Sequence, residues 1–166
     1  MAKPLEVLVG ELLHQRGLQL AVAESCTGGL ISHLITNVAG SSTYYLGGVT
    51  SYANQAKVRL LGVKPLTLDQ FGAVSEAAAL EMAHGIRLAL QADIGISVTG
   101  IAGPTGGTLE KPVGTVWIGI STADEEYARH FLWSGTRLAI KKQSAQAALS
   151  LIVEYLQKAR VEKLGV

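Results

Sequence analysis

Ser25 and Cys26 are the residues of this chain best suited by type to attack a carbonyl. They lie in Ala23-Glu24-Ser25-Cys26-Thr27-Gly28-Gly29, where the apolar run Leu18 to Ala23 gives way to Leu30, Ile31, Leu34, Ile35 and Val38 at helical spacing. The first run reads as a short buried strand and the second as a helix, so both nucleophiles sit at a strand-to-helix turn. Gly28 and Gly29 let a substrate approach the backbone, and the first N–H groups of a helix can receive a negative oxygen. That is the geometry acyl transfer needs. Strand–turn–helix connections with small polar residues are also common in α/β proteins, so the motif alone does not decide.

A serine nucleophile needs a base. Of the histidines, His14 and His33 fall on helices, His84 shares a polar helix face with Glu81 and Arg87, and His130 lies in a predicted hairpin. None has metal-ligand spacing, and a single cysteine cannot build a structural zinc site, so no metal is expected. Asp69, Asp93 and Asp124 fall in turns or helix ends, which argues against a Ser-His-Asp system without forbidding one. A lysine remains, and it serves as a base only when burial or nearby positive charge lowers its pKa. Lys57 lies in Ser51-Tyr52-Ala53-Asn54-Gln55-Ala56-Lys57, at a second strand-to-helix junction, beside Ala53, Ala56, Val58, Leu60 and Arg59. Most lysines face water, so a surface role stands beside the catalytic one.

The third segment runs Val98-Thr99-Gly100-Ile101-Ala102-Gly103-Pro104-Thr105-Gly106-Gly107, followed by Lys111-Pro112-Val113-Gly114-Thr115. It reads either as a connection whose glycines permit turns or as a backbone cradle for an anion such as phosphate. It lacks the Gly-Lys-Ser/Thr ending of a P-loop and the spacing of a dinucleotide fingerprint. All three segments follow predicted strands, and ligands of open α/β sheets bind beyond the carboxyl ends of strands. Their convergence on one rim would make a single pocket.

The elements that must position them follow from periodicity. Leu5, Leu8, Val9, Leu12 and Leu13 predict a helix over 4–16, closed by Gly17. A strand is expected near 19–24, a helix near 27–38, and a strand over Thr43 to Tyr52, bent at Gly47-Gly48. Short helices follow at Asn54 to Leu61 and after Lys64-Pro65, then a long one to about Leu90 with Ser75 as N-cap. Ile94 to Thr99 reads as a buried strand, Gly100 to Gly114 as a loop, and Thr115 to Ser121 with Tyr127 to Trp133 as a hairpin. A final helix runs from Thr136 to about Arg160 and buries Ile140, Ala147, Ala148, Leu151, Ile152 and Tyr155. Helices alternating with strands before a hairpin predict a single layered α/β/α domain over 1–166, with a mixed, mostly parallel sheet of about five strands.

Composition bounds the rest. With 48% apolar and 16% charged residues, 166 residues suffice for a buried core and do not describe a disordered chain. A net charge of +1 and no Lys/Arg run longer than two give no footprint for nucleic acid. No apolar stretch approaches the roughly 20 residues of a membrane span. Met1-Ala2-Lys3-Pro4 leads into an amphipathic helix without the apolar core of a signal peptide, so a cytoplasmic protein is expected. A homo-oligomer, a dimer above all, suits a small metabolic enzyme, with apolar faces of the first or last helix to serve it.

Together, the motif around Ser25, Gly48-Val49-Thr50-Ser51-Tyr52 with Asn54 and Lys57, Thr99-Gly100-Ile101-Ala102-Gly103-Pro104 and Lys111-Pro112-Val113-Gly114 closely resemble the CinA C-terminal domain family. The resemblance extends from about Leu5 to the last helix. It implies a serine amidase that deamidates nicotinamide mononucleotide, with no cofactor, through a Ser–Lys pair on Ser25 and Lys57, with Tyr52 as a further catalytic residue and Thr99 in the same site; a non-catalytic nucleotide-binding or regulatory module, or a serine amidase for a different small amide, are the alternatives. Substrate contacts are then expected from Glu24, Thr27, Gly28, Gly29, Gly100, Gly103, Thr105, Gly106 and Arg137, the 5′-phosphate lying against Gly103–Gly107 and Arg137. The basic pair that the resemblance implies in the last helix falls on Arg137 and Lys141, a lysine where a second arginine is expected. Cys26 is expected to pack beneath the loop, as free cysteines are often buried.

Overall fold

Alternation along the strands gives the sheet two unlike faces. On one side Leu20 and Val22 of β1 (Leu20–Glu24), Ile94, Ile96 and Val98 of β3 (Ile94–Gly100), and Val116, Ile118 and Ile120 of β4 (Thr115–Ser121) form a continuous apolar layer. On the other side the same strands carry Ala21, Ala23, Gly95, Ser97 and Gly119. The large side chains bury against α1 (Leu5–Arg16), α2 (Leu30–Thr36) and α6 (Arg137–Lys163), through Val9, Leu13, Ile31, Ile35, Ile140, Leu149 and Ile152. Each such side chain is worth about 1.5–3 kcal/mol when fully buried.

The small residues let α5 (Glu76–Ala89) lie almost on the backbone of the sheet. A Cβ added at Gly95 would collide with the Ala83 carbonyl oxygen, and one at Gly119 would sit 2.5 Å from that of Ala79. Ser97 Oγ donates to the Ala79 carbonyl at 2.6 Å, so the close approach is also hydrogen-bonded. Ser75 caps α5 as its sequence predicts, its Oγ accepting from Ala78 N at 3.2 Å. Two shorter helices, α3 (Asn54–Leu61) and α4 (Pro65–Phe71), pack beside α5 on the same side.

The strand order is β2-β1-β3-β4-β5, with β2 spanning Tyr45–Thr50 and β5 Glu126–Leu132. β1 pairs in parallel with both β2 and β3, while β3–β4 and β4–β5 are antiparallel. β4 alone runs against the other four strands, so the sheet is mixed, and mostly parallel in strand direction. This computed structural model describes residues 3–163, so the first two and last three residues of the expected 1–166 domain lie outside the described residues. Among the described residues no helix is long and apolar enough to cross a membrane.

Two boundaries differ from the sequence reading in ways that matter. α2 begins at Leu30 rather than near 27, because Gly28 and Gly29 adopt φ values of +62° and +96°, which a right-handed helix cannot include. β2 is confined to Tyr45–Thr50: Ser41–Thr43 form one 3₁₀ turn, and Ser51 to Ala53 lead out of the sheet into α3.

Candidate active site

β1 occupies the point where the chain reverses its direction across the sheet. From β1 it crosses to β2 on one side, and β3 lies on the other, so a crevice opens beyond the three parallel carboxyl ends. The ends are pinned together, Ser25 N donating to the Val98 carbonyl at 2.9 Å and Ser51 N to that of Glu24 at 2.8 Å. Ser25 stands directly over this junction.

Lys57 reaches it from the first turns of α3. It is only 1% exposed and ranks with the largest fully buried side chains. Its Nζ lies 3.0 Å from Ser25 Oγ and donates to the Ser51 carbonyl at 2.7 Å. Burial lowers its pKa, because water no longer stabilises the ammonium form. A buried amine drawn toward neutrality beside a serine hydroxyl is an arrangement in which the amine can take the hydroxyl proton. The surface reading of Lys57 is excluded by its burial.

Cys26 lies beside this pair but in different circumstances. It is 5% exposed and belongs to the main apolar core, and burial pushes its thiol up to about 11. At neutral pH it is therefore a protonated thiol, a poor nucleophile.

A cavity of about 270 Å³ opens over Ser25 and Lys57, and Tyr52, Thr99, Gly100, Gly103, Thr105, Gly106 and Arg137 line it as well. Thr99 is buried and its Oγ1 donates to the Ala73 carbonyl at 2.7 Å, so it holds the α4–α5 connection in place as a wall. Tyr52 is 62% exposed and stands at the rim, its hydroxyl accepting from Arg137 Nη2 at 2.7 Å, with no hydrogen bond to Ser25 or Lys57. Arg137 Nη1 donates to the Gly103 carbonyl at 2.7 Å, which ties α6 to the glycine-rich loop.

Four residues expected at the substrate do not line this cavity. Thr27, Gly28 and Gly29 line a neighbouring one of about 300 Å³, with His33, Lys141 and Lys142. The basic pair of the last helix is thereby divided, Arg137 to one cavity and Lys141 to the other. Glu24 is 1% exposed and turns its carboxylate away from the crevice, accepting from the N–H groups of Gly29, Ile31 and Ser32 at 3.0, 3.1 and 2.9 Å. These bonds occupy the start of α2, so the helix amides expected to receive a substrate oxygen are taken. The amides of Cys26 and Thr27, which follow Ser25 directly, donate to no backbone carbonyl among the described residues.

Asn54, Ala73 and Val74 also line the cavity. Asn54 has a readable signal, three residues before Lys57 and hence on the same helix face. Ala73 and Val74 have none, being small apolar residues brought in by Thr99. Among the described residues, no group of three or more His, Cys, Asp and Glu side chains converges as a metal site would require.

An open mixed α/β sheet with a buried serine–lysine pair at its crossover point defines the class of this protein. The CinA C-terminal domain matches residues 2–156, and the chain belongs to that family. It is 52% identical over 145 residues to a CinA-like protein of Salinibacter ruber, an alignment covering 87% of this chain and 35% of that protein. The chain spans about a third of the length of the curated relatives it matches, 36% and 35% for two of them. The solved CinA superfamily protein from Klebsiella pneumoniae superimposes with a TM-score of 0.90 at 34% identity, covering 93% of this chain and 96% of the other. The competence/damage inducible protein CihA from Agrobacterium tumefaciens gives 0.87 at 37% identity, covering 95% and 98%.

Proposed function

We propose that this chain is a serine amidohydrolase converting nicotinamide mononucleotide and water to nicotinate mononucleotide and ammonia. The observation that carries the reading is the buried Lys57, whose Nζ lies 3.0 Å from Ser25 Oγ at the floor of a cavity. Neutral Lys57 takes the Ser25 hydroxyl proton as Oγ bonds to the carboxamide carbon. The pyridinium ring withdraws electrons from that carbon and makes it more electrophilic than an ordinary amide. The amide of Cys26, which follows Ser25 and lines the same cavity, is the donor this reading assigns to the resulting oxyanion; a donor in that role is typically worth about 10²–10³ in rate. As the C–N bond breaks, Lys57 passes its proton to the departing nitrogen, which leaves as ammonia. A water then attacks the acyl-enzyme carbon and gives a proton to Lys57, which returns it to Ser25 Oγ as nicotinate is released.

The nucleotide is favoured over the free base by the far end of the cavity. Arg137 and the loop carrying Gly103, Thr105 and Gly106 offer a cation and a backbone cradle to a 5′-phosphate. The names of the relatives speak of competence and damage, so the substrate rests on the site chemistry and on the motif resemblance. Ammonia release from nicotinamide mononucleotide, nicotinamide and NAD, for the wild type, Ser25→Ala and Lys57→Ala, tests it. Release from the mononucleotide alone, falling to background in both variants, is the expected result. No release from the mononucleotide, or undiminished release by Ser25→Ala, overturns it.

A further inference from the structure

Glu24 is a buried carboxylate with no salt bridge among the described residues. No lysine, arginine or histidine there pairs with it. Its Oε2 accepts from Gly29 N and Ile31 N, and its Oε1 accepts from Ser32 N and from Ser32 Oγ at 2.8 Å. Behind them Tyr45 OH donates to Ser32 Oγ at 2.7 Å and holds that hydroxyl in place. Backbone N–H groups and the positive end of a helix make such a charge tolerable where an unpaired one would be expelled.

The placement of these bonds gives them a second consequence. They run from the last residue of β1 to the first turn of α2, across the segment Ser25–Gly28 that carries Ser25 and the amide of Cys26. At its other end that segment is held by Ser25 N on the Val98 carbonyl. Gly28 and Gly29, both at positive φ, would otherwise leave the turn adaptable. We infer that Glu24 is a positioning residue for the reaction, its carboxylate clamping the start of α2 so that Ser25 Oγ and the amide of Cys26 keep one geometry. The inference rests on the amidase reading of Ser25 and Lys57.

Both carboxylate oxygens accept, so glutamine cannot replace Glu24 without loss. In either orientation its NH₂ meets N–H donors, and one end of the clamp opens while volume is preserved. Ser32→Ala removes one of the bonds to the carboxylate and leaves the three amides. The measurements are kcat and KM per titrated active site, and the rate at which a fluorophosphonate probe labels Ser25. For Glu24→Gln both kcat and labelling fall by about 10²-fold while KM stays within a factor of about two, the pattern of a misplaced reacting group. Ser32→Ala loses roughly three- to tenfold in both, and Glu24→Asp, which keeps an all-acceptor carboxylate, recovers part of the Glu24→Gln loss.

A purely structural role would reduce the number of active molecules and leave each survivor at the wild-type rate. Wild-type kcat and labelling per titrated site in Glu24→Gln therefore overturn the inference. If that variant does not fold, a wild-type labelling rate in Ser32→Ala overturns it instead. If the wild type labels at Ser25 yet releases no ammonia, the amidase reading fails while labelling still decides the role of Glu24. Absence of wild-type labelling defeats both.

Discussion

Replacing Lys57 with methionine separates two properties of that side chain, its proton and its bulk. Burial lowers the pKa of Lys57, so the folded chain releases its proton at a pH below the roughly 10.4 of an exposed lysine. Between those two pH values the unfolded chain binds more protons, and stability rises with pH by about 1.36 kcal/mol per unit of pKa shift. Below the folded pKa both states are protonated and the whole cost of burying an ammonium is present. Methionine keeps much of the volume and does not titrate. It leaves the Ser51 carbonyl without the donor now at 2.7 Å, a loss of about 1–3 kcal/mol that does not change with pH. The stability of the wild type relative to Lys57→Met should therefore climb as pH rises toward the lysine range. Urea unfolding of both proteins from pH 6 to 10 measures that difference, and tyrosines and other groups common to both largely cancel. In the same range wild-type kcat/KM should rise as Lys57 loses its proton, while the methionine variant lacks the base and loses about 10²–10⁴ in kcat. Parallel stability curves, together with activity that rises only at the pH of an ordinary lysine, would refute the buried neutral base.

Cys26→Ala should retain ammonia release within a factor of about three, because a thiol pushed up to about 11 is protonated at neutral pH; Ser25→Ala should fall to background. Arg137→Met should raise KM for nicotinamide mononucleotide by about 10- to 150-fold, the worth of hydrogen bonds to a charged group, in steady-state assays. Gly119→Ala should destabilise the fold by about 1–3 kcal/mol, read as a lower urea midpoint at unchanged slope. Its new Cβ would sit 2.5 Å from the Ala79 carbonyl oxygen and 2.8 Å from Ser97 Oγ, and the backbone of α5 cannot give way as a side chain would.

The fold was legible wherever periodicity and local chemistry agree. The apolar spacing of Leu5 to Leu13, the cap at Ser75 and the split between Thr115–Ser121 and the following strand are local facts, and all three stand in the structure. The site was legible only as residue types. Ser25 and Lys57 stand 32 positions apart, and only the crossover at β1 brings Nζ within 3.0 Å of Oγ. Ala73 and Val74 were invisible because a wall of small apolar residues has no chemical signature. Gly95 and Gly119 carried their meaning in a partner far along the chain, since what excludes a Cβ there is the backbone of α5.

Glu24 shows how a sound physical rule can reach the wrong ligand. A helix start does attract an anion, and the start of α2 holds one, but the anion is the residue before Ser25. The arrangement also bears on the base. A carboxylate next in sequence to Ser25 and turned toward the cavity would face Lys57, stabilise its ammonium form and raise its pKa. With the charge spent on three amides, the pKa of Lys57 is governed first by its own burial, and burial lowers it. The same bonds that hold the Ser25 turn thus keep the Glu24 charge from stabilising the ammonium form of Lys57, which in the proposed reaction acts as a neutral amine.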